Sequence, residues 1–192
     1  KSLVTFQCCF RRLFQGAVGR LLSVLCFAML IAASGSVMAK KLNGFDLSNV
    51  TVPMKHVSQG GPPRDGIPAI DKPHYVSAKQ AESFMKGDDF VLGFSIQGQS
   101  FAYPLHIMNW HEIVNDKVED QAFVVSYCPL CATGMAFSSK VQGKSLSFGV
   151  SGLLLNSDVL FYDRESESLW SQIHGEAISG PYAGEKIEQL YL

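Results

Sequence analysis

Short apolar runs separated by turn residues dominate the chain beyond residue 74 and predict a β-rich domain. The runs at 90–96 and 100–105 flank Gln97-Gly98-Gln99, a spacing typical of a β-hairpin. Later apolar runs cover 122–127, 135–141, 145–150, 159–162 and 169–173. Turn residues at 142–144 and 163–168 predict two more hairpins between these runs, and therefore a mainly antiparallel sheet.

Helical patterns are few. Ser77 and Gln80 form a capping box, the apolar residues after them repeat at helical spacing, and Gly87 supplies a stop. A second stretch, 106–115, predicts one or two helical turns because its apolar residues share one face. Together the patterns predict the α+β class, as a β-rich single domain with a mainly antiparallel sheet and few helices.

The first 39 residues have the pattern of an export signal. Three arginines precede an uncharged apolar run at 21–33, and small residues then lead to Val37-Met38-Ala39, a small-x-small cleavage pattern. The run is shorter than the roughly 20 residues of a membrane span. We therefore predict that residues 1–39 are an export signal peptide, with an uncleaved N-terminal anchor as the alternative. The protein is then secreted or periplasmic, or held at the membrane by that segment alone.

Composition divides the rest of the chain. Residues 40–73 are rich in Gly, Pro and polar residues and are interpreted as an irregular lead-in arm, followed by a single domain over 74–192. Residues 40–192 carry 12 basic and 17 acidic residues, a net charge of −5, with no cluster of Lys or Arg. This balance argues against nucleic acid as a partner.

Cys128 and Cys131, in Tyr127-Cys128-Pro129-Leu130-Cys131, are the only cysteines beyond the predicted signal peptide. Such a C-x-x-C pair suits a redox-active disulfide or two ligands for a soft metal, because a loop that short stabilises a fold little as a disulfide. A poor helix start after Cys131 and the lack of a preceding βαβ pattern argue against a thioredoxin fold. Export to an oxidising compartment makes a disulfide the default, unless a metal or a reductant holds the thiols.

His111 is the best candidate for a third ligand, because imidazole and thiolate donors together suit zinc or copper. His106 lies off the same helical face, and His174 precedes a glycine, so both fit less well. The strand at 122–127 returns the chain after the His111 segment. We therefore expect the ring nitrogen of His111 within about 4 Å of both sulfurs. A hydrogen-bonded histidine that orients its loop is the alternative.

Glu112, Arg164 and Trp170 are candidate contacts for a ligand or an anion. The alternative for Glu112 is a solvated charge. Arg164 lies in a polar hairpin tip, where charges usually serve solubility, and a tryptophan more often belongs to a core. No serine-hydrolase order, phosphate-binding glycine loop or haem-attachment pattern occurs, so the sequence leaves open whether the protein is an enzyme.

Several segments, in this order, resemble the exported bacterial and archaeal proteins of domain-of-unknown-function family 3179. They are Asp65–Ile70, Ala102–Leu105, Asn109–Asp116, Tyr127–Cys131, Phe148–Leu153, Asn156–Asp158, Tyr162–Glu165 and Leu169–Gln172. All the candidate site residues named above lie inside them, apart from His106 and His174. Members of the family are commonly longer beyond Gly180-Pro181. The resemblance therefore implies that the domain is either complete here or truncated at its C-terminus. The family has no settled activity, and the resemblance implies the folding unit rather than the chemistry.

Three hypotheses about function follow. The first is a soft-metal site, for zinc or copper, formed by Cys128, Cys131 and His111 with an unidentified fourth donor. The second is thiol–disulfide exchange through the same two cysteines. The third is a ligand-binding or interaction domain with a structural disulfide, whose pocket is lined by the polar Asp163–Ser168 tip and by Tyr103, Trp110 and Trp170. The partner is unknown from the sequence, and an envelope redox or metal-transfer partner fits the first two hypotheses.

Overall fold

The computed structural model of the protein describes residues 40–191. The predicted signal peptide, residues 1–39, lies outside the described residues. Within the described part, no helix is long and apolar enough to cross a membrane.

Strands account for most of the regular structure between residues 40 and 191. In chain order they are β1 (Lys41–Leu42), β2 (Phe45–Asp46), β3 (Val57–Gln59), β4 (Val91–Ile96), β5 (Gln99–Pro104), β6 (Ile113–Val118), β7 (Gln121–Cys128), β8 (Thr133–Ser138), β9 (Lys140–Val141), β10 (Lys144–Ser145), β11 (Phe148–Leu155), β12 (Asp158–Asp163), β13 (Leu169–Ser171), β14 (Ala177–Ser179) and β15 (Gln189–Leu190). The helices are α1 (Ala78–Ala81) and α2 (Leu105–His111), and Met54–His56 forms one 3₁₀ turn.

Two larger sheets organise the domain. One has five strands in the order β14-β13-β12-β11-β3, and the other has four in the order β15-β8-β7-β6. The pairings within both sheets are antiparallel, as they are in the small hairpins β1-β2, β4-β5 and β9-β10. The lead-in arm supplies β3, so this irregular segment contributes an edge strand to the five-stranded sheet.

Apolar side chains cover both faces of each sheet. Phe161 of β12 and Val124 of β7 belong to one central cluster that packs the two sheets together. On the outer face of the five-stranded sheet, Tyr162 packs with Phe45 and Leu47 of the arm. The outer face of the four-stranded sheet packs against the β4-β5 hairpin and α2. Strands covered on both faces read as continuous apolar runs, which is why the sequence pattern shows little alternation there.

The β-rich, mainly antiparallel prediction is confirmed, but α+β overstates the helices. The capping box of Ser77 and Gln80 forms as predicted, yet α1 contains only 4 residues. The second predicted helix ends at His111, and the chain from Ile113 onwards is a strand. Pairing with β7 overrides the helical spacing there, because every residue of β6 has a partner on β7 in the antiparallel sheet.

Gly152 allows the arm to pack closely on the five-stranded sheet. The register between β11 and β12 shifts between Val150 and Leu153, so Ser151 and Gly152 are extra residues on β11. Gly152 has φ +70°, and its carbonyl accepts a hydrogen bond of 2.8 Å from the backbone N–H of Gly60. A Cβ atom at this position would overlap the carbonyl oxygen of Pro62. Glycine is therefore required both by the backbone angle and by the arm.

We predict that Gly152→Ala lowers the free energy of unfolding by about 2–5 kcal/mol, from left-handed strain together with the clash. Gly143→Ala is the matched control, because Gly143 has φ +80° in a turn and no atom within 4 Å of the added Cβ. Its cost should be about 1–2 kcal/mol, from strain alone. Urea unfolding measures both, and equal costs would contradict the close approach of the arm.

Candidate metal centre

The cysteine pair crosses a β-hairpin turn. Cys128 is the last residue of β7 and pairs in register with Thr133, the first residue of β8. The four residues between them form the turn, in which Ala132 has φ +53°. No helix begins at the pair, so the arrangement that lowers a thiol pKa in thioredoxin is not found at this turn, as the sequence predicted.

A second hairpin brings Asp158 to the cysteines. Asn156 and Ser157 have φ +51° and φ +73°, and this two-residue turn joins β11 to β12. Positive φ at both central residues is the geometry of a type I′ turn, whose twist suits antiparallel strands. Asp158 follows as the first residue of β12 and is only 5% exposed. The turn therefore fixes a buried carboxylate at the end of the five-stranded sheet.

Three donor atoms meet between the two hairpins. The Cys131 thiol donates a hydrogen bond of 3.1 Å to Oδ1 of Asp158. The sulfurs of Cys128 and Cys131 and a carboxylate oxygen of Asp158 all lie within 4.8 Å of one another. In a tetrahedral zinc site with ordinary bond lengths, neighbouring donors are about 3.5–3.8 Å apart. The cluster is thus close to the size that one metal ion requires, and both cysteines are free thiols.

The two thiols differ in environment. Cys128 is fully buried, whereas Cys131 is exposed. Burial raises the pKa of Cys128 to about 12, helped by the hydrogen bond with the Cys131 thiol and opposed by the backbone N–H groups of Cys131 and Val159. Those N–H groups favour a thiolate at Cys128, but they do not outweigh the cost of burying the charge. A bound cation would supply the missing compensation, because a coordinating thiol is deprotonated outright.

His111 lies outside this cluster. Its Nδ1 atom is 2.8 Å from the carbonyl oxygen of Pro68, so the ring donates to the arm. The predicted return of the chain does occur, because the N–H of Tyr127 donates to the carbonyl of Glu112 at 2.7 Å. The ring nevertheless turns toward the arm. His111 therefore does not join the two sulfurs as predicted. Asp158 is the third donor that the structure brings to them.

Glu112 is the second buried acid near the cysteine turn. It is 9% exposed and caps the end of α2 in the left-handed region, at φ +58°. Glu112 lines a pocket of about 250 Å³, together with residues that include Pro129, Leu130 and Val159. Burial alone raises the pKa of Glu112 to about 7, since no hydrogen bond or charge opposes it. The alternative interpretation as a solvated charge does not fit this burial.

Arg164 and Trp170 take structural positions. Arg164 forms an ion pair of 2.8 Å with Asp71 of the arm. Trp170 is fully buried in the central cluster, and its indole N–H donates to Asp163 at 2.9 Å. Tyr103 belongs to the outer cluster of the four-stranded sheet, while Trp110 is 76% exposed. These aromatic residues lie in different environments, and they do not form the single pocket of the third hypothesis.

Asp158 is the site residue that the sequence reasoning missed, although a signal was available. It directly follows the turn residues Asn156 and Ser157 and precedes the apolar run at 159–162, a position at the end of a hairpin. It also lies inside Asn156–Asp158, one of the segments that carry the family resemblance.

The comparisons with known proteins agree with that resemblance. A family model described as "Protein of unknown function (DUF3179)" matches residues 64–192. The chain belongs to this family. Comparison with curated proteins and with solved structures gives no match.

Glu112 should make the protein less stable as the pH rises. Its pKa is about 7 in the folded protein against 4.5 ordinarily, so the folded state holds a proton that the unfolded state releases between these values. The stabilisation is complete below pH 4.5 and is lost as the pH rises to 7, by up to about 3 kcal/mol. Glu112→Gln should remove this loss and raise the free energy of unfolding at pH 8.

Urea unfolding at pH 5 and pH 8 measures the effect. Glu188→Gln is the control, because Glu188 is exposed and its replacement removes one charge without relieving burial. If both variants keep the pH dependence of the parent protein, the carboxyl of Glu112 is not held neutral by burial.

Proposed function

We propose that the protein binds one zinc ion through Cys128, Cys131 and Asp158. The observation that carries this proposal is the convergence of two sulfurs and a carboxylate oxygen within 4.8 Å, supplied by the ends of two separate hairpins. The two N–H groups directed at the Cys128 sulfur support a thiolate ligand. A carboxylate and two thiolates at this distance would repel one another. Attraction of each donor to a bound divalent cation would outweigh that repulsion.

The donor set favours zinc over copper. Thiolate ligands suit both ions, but soft Cu(I) prefers further sulfur, whereas zinc readily accepts a carboxylate oxygen. Three protein donors leave one position for water or for a group of a substrate, which is the arrangement of catalytic zinc sites. Exposure of Cys131 gives solvent a path to this position. If residues 1–39 direct export, the site acts in the cell envelope, where it exchanges metal with a partner or acts on a small molecule.

Metal analysis tests the proposal in a background in which Cys8, Cys9 and Cys26 are replaced by Ser, so that only the hairpin thiols remain. We expect one zinc per chain after reconstitution, and thiolate-to-metal charge-transfer absorption when cobalt replaces zinc. Cys128→Ser and Asp158→Asn should each weaken zinc binding by at least about a hundredfold, because each removes a direct ligand.

Asp120→Asn is the matched control, because Asp120 is an exposed acid in the turn between β6 and β7. It should retain the affinity of the parent protein. A background protein that binds no metal under reducing conditions contradicts the proposal. So does an Asp158→Asn variant with unchanged affinity and an unchanged cobalt spectrum.

Thiol–disulfide exchange is the second candidate function, and the unequal exposure of the two thiols favours it. Cys131 is accessible to a partner, while Cys128 is buried behind it, as attacking and resolving thiols are arranged. Cys131 would lose its proton to Asp158 and attack a partner disulfide, releasing one partner sulfur as a thiolate. Cys128 would then pass its proton to the released partner thiolate and attack the Cys131 sulfur, which closes the Cys128–Cys131 disulfide and releases the second partner sulfur as a thiolate, so that the partner leaves fully reduced.

Insulin reduction by metal-free protein distinguishes the two functions. For the redox function, Cys131→Ser should abolish activity, while Cys128→Ser should accumulate a mixed disulfide with the partner. For zinc binding alone, the background protein should reduce insulin no faster than free dithiothreitol does, and no mixed disulfide should form.

A further inference from the structure

A pocket of about 250 Å³ adjoins the cysteine turn but has a different chemical character. The arm, α2, the β11-β12 hairpin and the cysteine turn all contribute to its walls. The apolar part of the wall includes Ile67, Pro129, Leu130 and Val159. Among the lining residues, Asn109 and Glu112 alone have polar side chains, so the remaining wall is apolar or backbone.

The carboxyl group of Glu112 is the unusual feature of this pocket. The residue is about nine-tenths buried, and its carboxyl group has no hydrogen-bond or charged partner among the described residues. A buried carboxyl without a partner costs stability, and so does a non-glycine residue at φ +58°. Two such costs at one pocket-lining residue are typical of a position kept for binding rather than for folding.

We propose that this pocket binds a small apolar amine, whose ammonium group donates to the carboxylate of Glu112 while its hydrocarbon body contacts the apolar wall. A cavity of about 150 Å³ accommodates benzene. This pocket, at about 250 Å³, therefore admits a short alkyl or aryl amine rather than a peptide or a cofactor. Neither Cys128 nor Cys131 lines this pocket, so the inference does not depend on zinc.

Charge complementarity selects an amine over other small molecules. A carboxylic acid of the same size would bring a second negative charge to Glu112 in an apolar surrounding. An alcohol fills the same volume, but it offers only a neutral hydrogen bond. Such a bond is roughly half as strong as the charge-assisted bond of an ammonium group. Lys and Arg side chains are lacking from the lining, so no group of the protein competes with the ammonium for Glu112.

Calorimetric titration of the full-length chain with n-hexylamine, hexan-1-ol and hexanoate tests the inference. Hexylamine should bind most tightly and hexanoate most weakly. Glu112→Gln should weaken hexylamine binding by about tenfold or more, because a charge-assisted hydrogen bond is lost, and should leave hexan-1-ol nearly unchanged. Glutamine keeps the shape of the side chain and relieves the buried charge, so this variant is expected to fold.

Leu130→Ala serves as the second variant, because Leu130 lines the pocket yet is 69% exposed, and its truncation spares the core. It should weaken hexylamine and hexan-1-ol to the same extent. Hexylamine affinity that is unchanged in Glu112→Gln, or hexanoate that binds as tightly as hexylamine, overturns the inference.

Cys131→Ser separates this pocket from the metal centre. Cys131 does not line the pocket, so the variant should lose zinc, and its affinity for hexylamine should stay within about threefold of that of the metal-free parent protein. Loss of zinc binding with hexylamine binding intact is the result that both proposals predict. Loss of hexylamine binding in Cys131→Ser, with Glu112→Gln unaffected, contradicts a pocket that recognises amines through Glu112.

Discussion

Burial of both faces of two antiparallel sheets is the constraint on which the other features of this domain depend. Neither sheet can leave its outer face in water, because strands such as β7 and β12 are apolar at consecutive positions. The arm covers one outer face and the β4-β5 hairpin covers the other. The central cluster then fixes how the sheets face each other, and with that the distance between the β7-β8 turn and the start of β12.

The candidate metal centre is a consequence of that packing. Cys128 ends a strand of one sheet and Asp158 begins a strand of the other, so no single hairpin forms the site. The N–H of Val159 reaches across to the Cys128 sulfur, and the Cys131 thiol reaches back to Asp158. Cys128 and Asp158, held at the ends of two paired strands, would need little reorganisation to surround an ion, and Cys131 in the turn would complete the set.

The sequence predicted the local structure well and the site only in part. Gln97-Gly98 and the capping box of Ser77 and Gln80 specify their turn and helix start through short-range hydrogen bonds and backbone angles, and both form as expected. Asp158 was missed, because its contact with Cys131 depends on the packing of two sheets. The apolar pattern within one strand carries no information about that packing. The direction of the His111 ring likewise depends on a carbonyl of the arm, 43 residues earlier in the chain.

Val159 links the candidate metal centre to the neighbouring pocket. Its backbone N–H is directed at the Cys128 sulfur, and the residue also lines the pocket that contains Glu112. Pro129 and Leu130, between the two cysteines, line the same pocket. An ion at the thiols and a small molecule beside Glu112 would therefore order the same two segments of chain, and the first to bind would reduce the entropy lost by the second. Coupling of this kind needs no movement of either sheet.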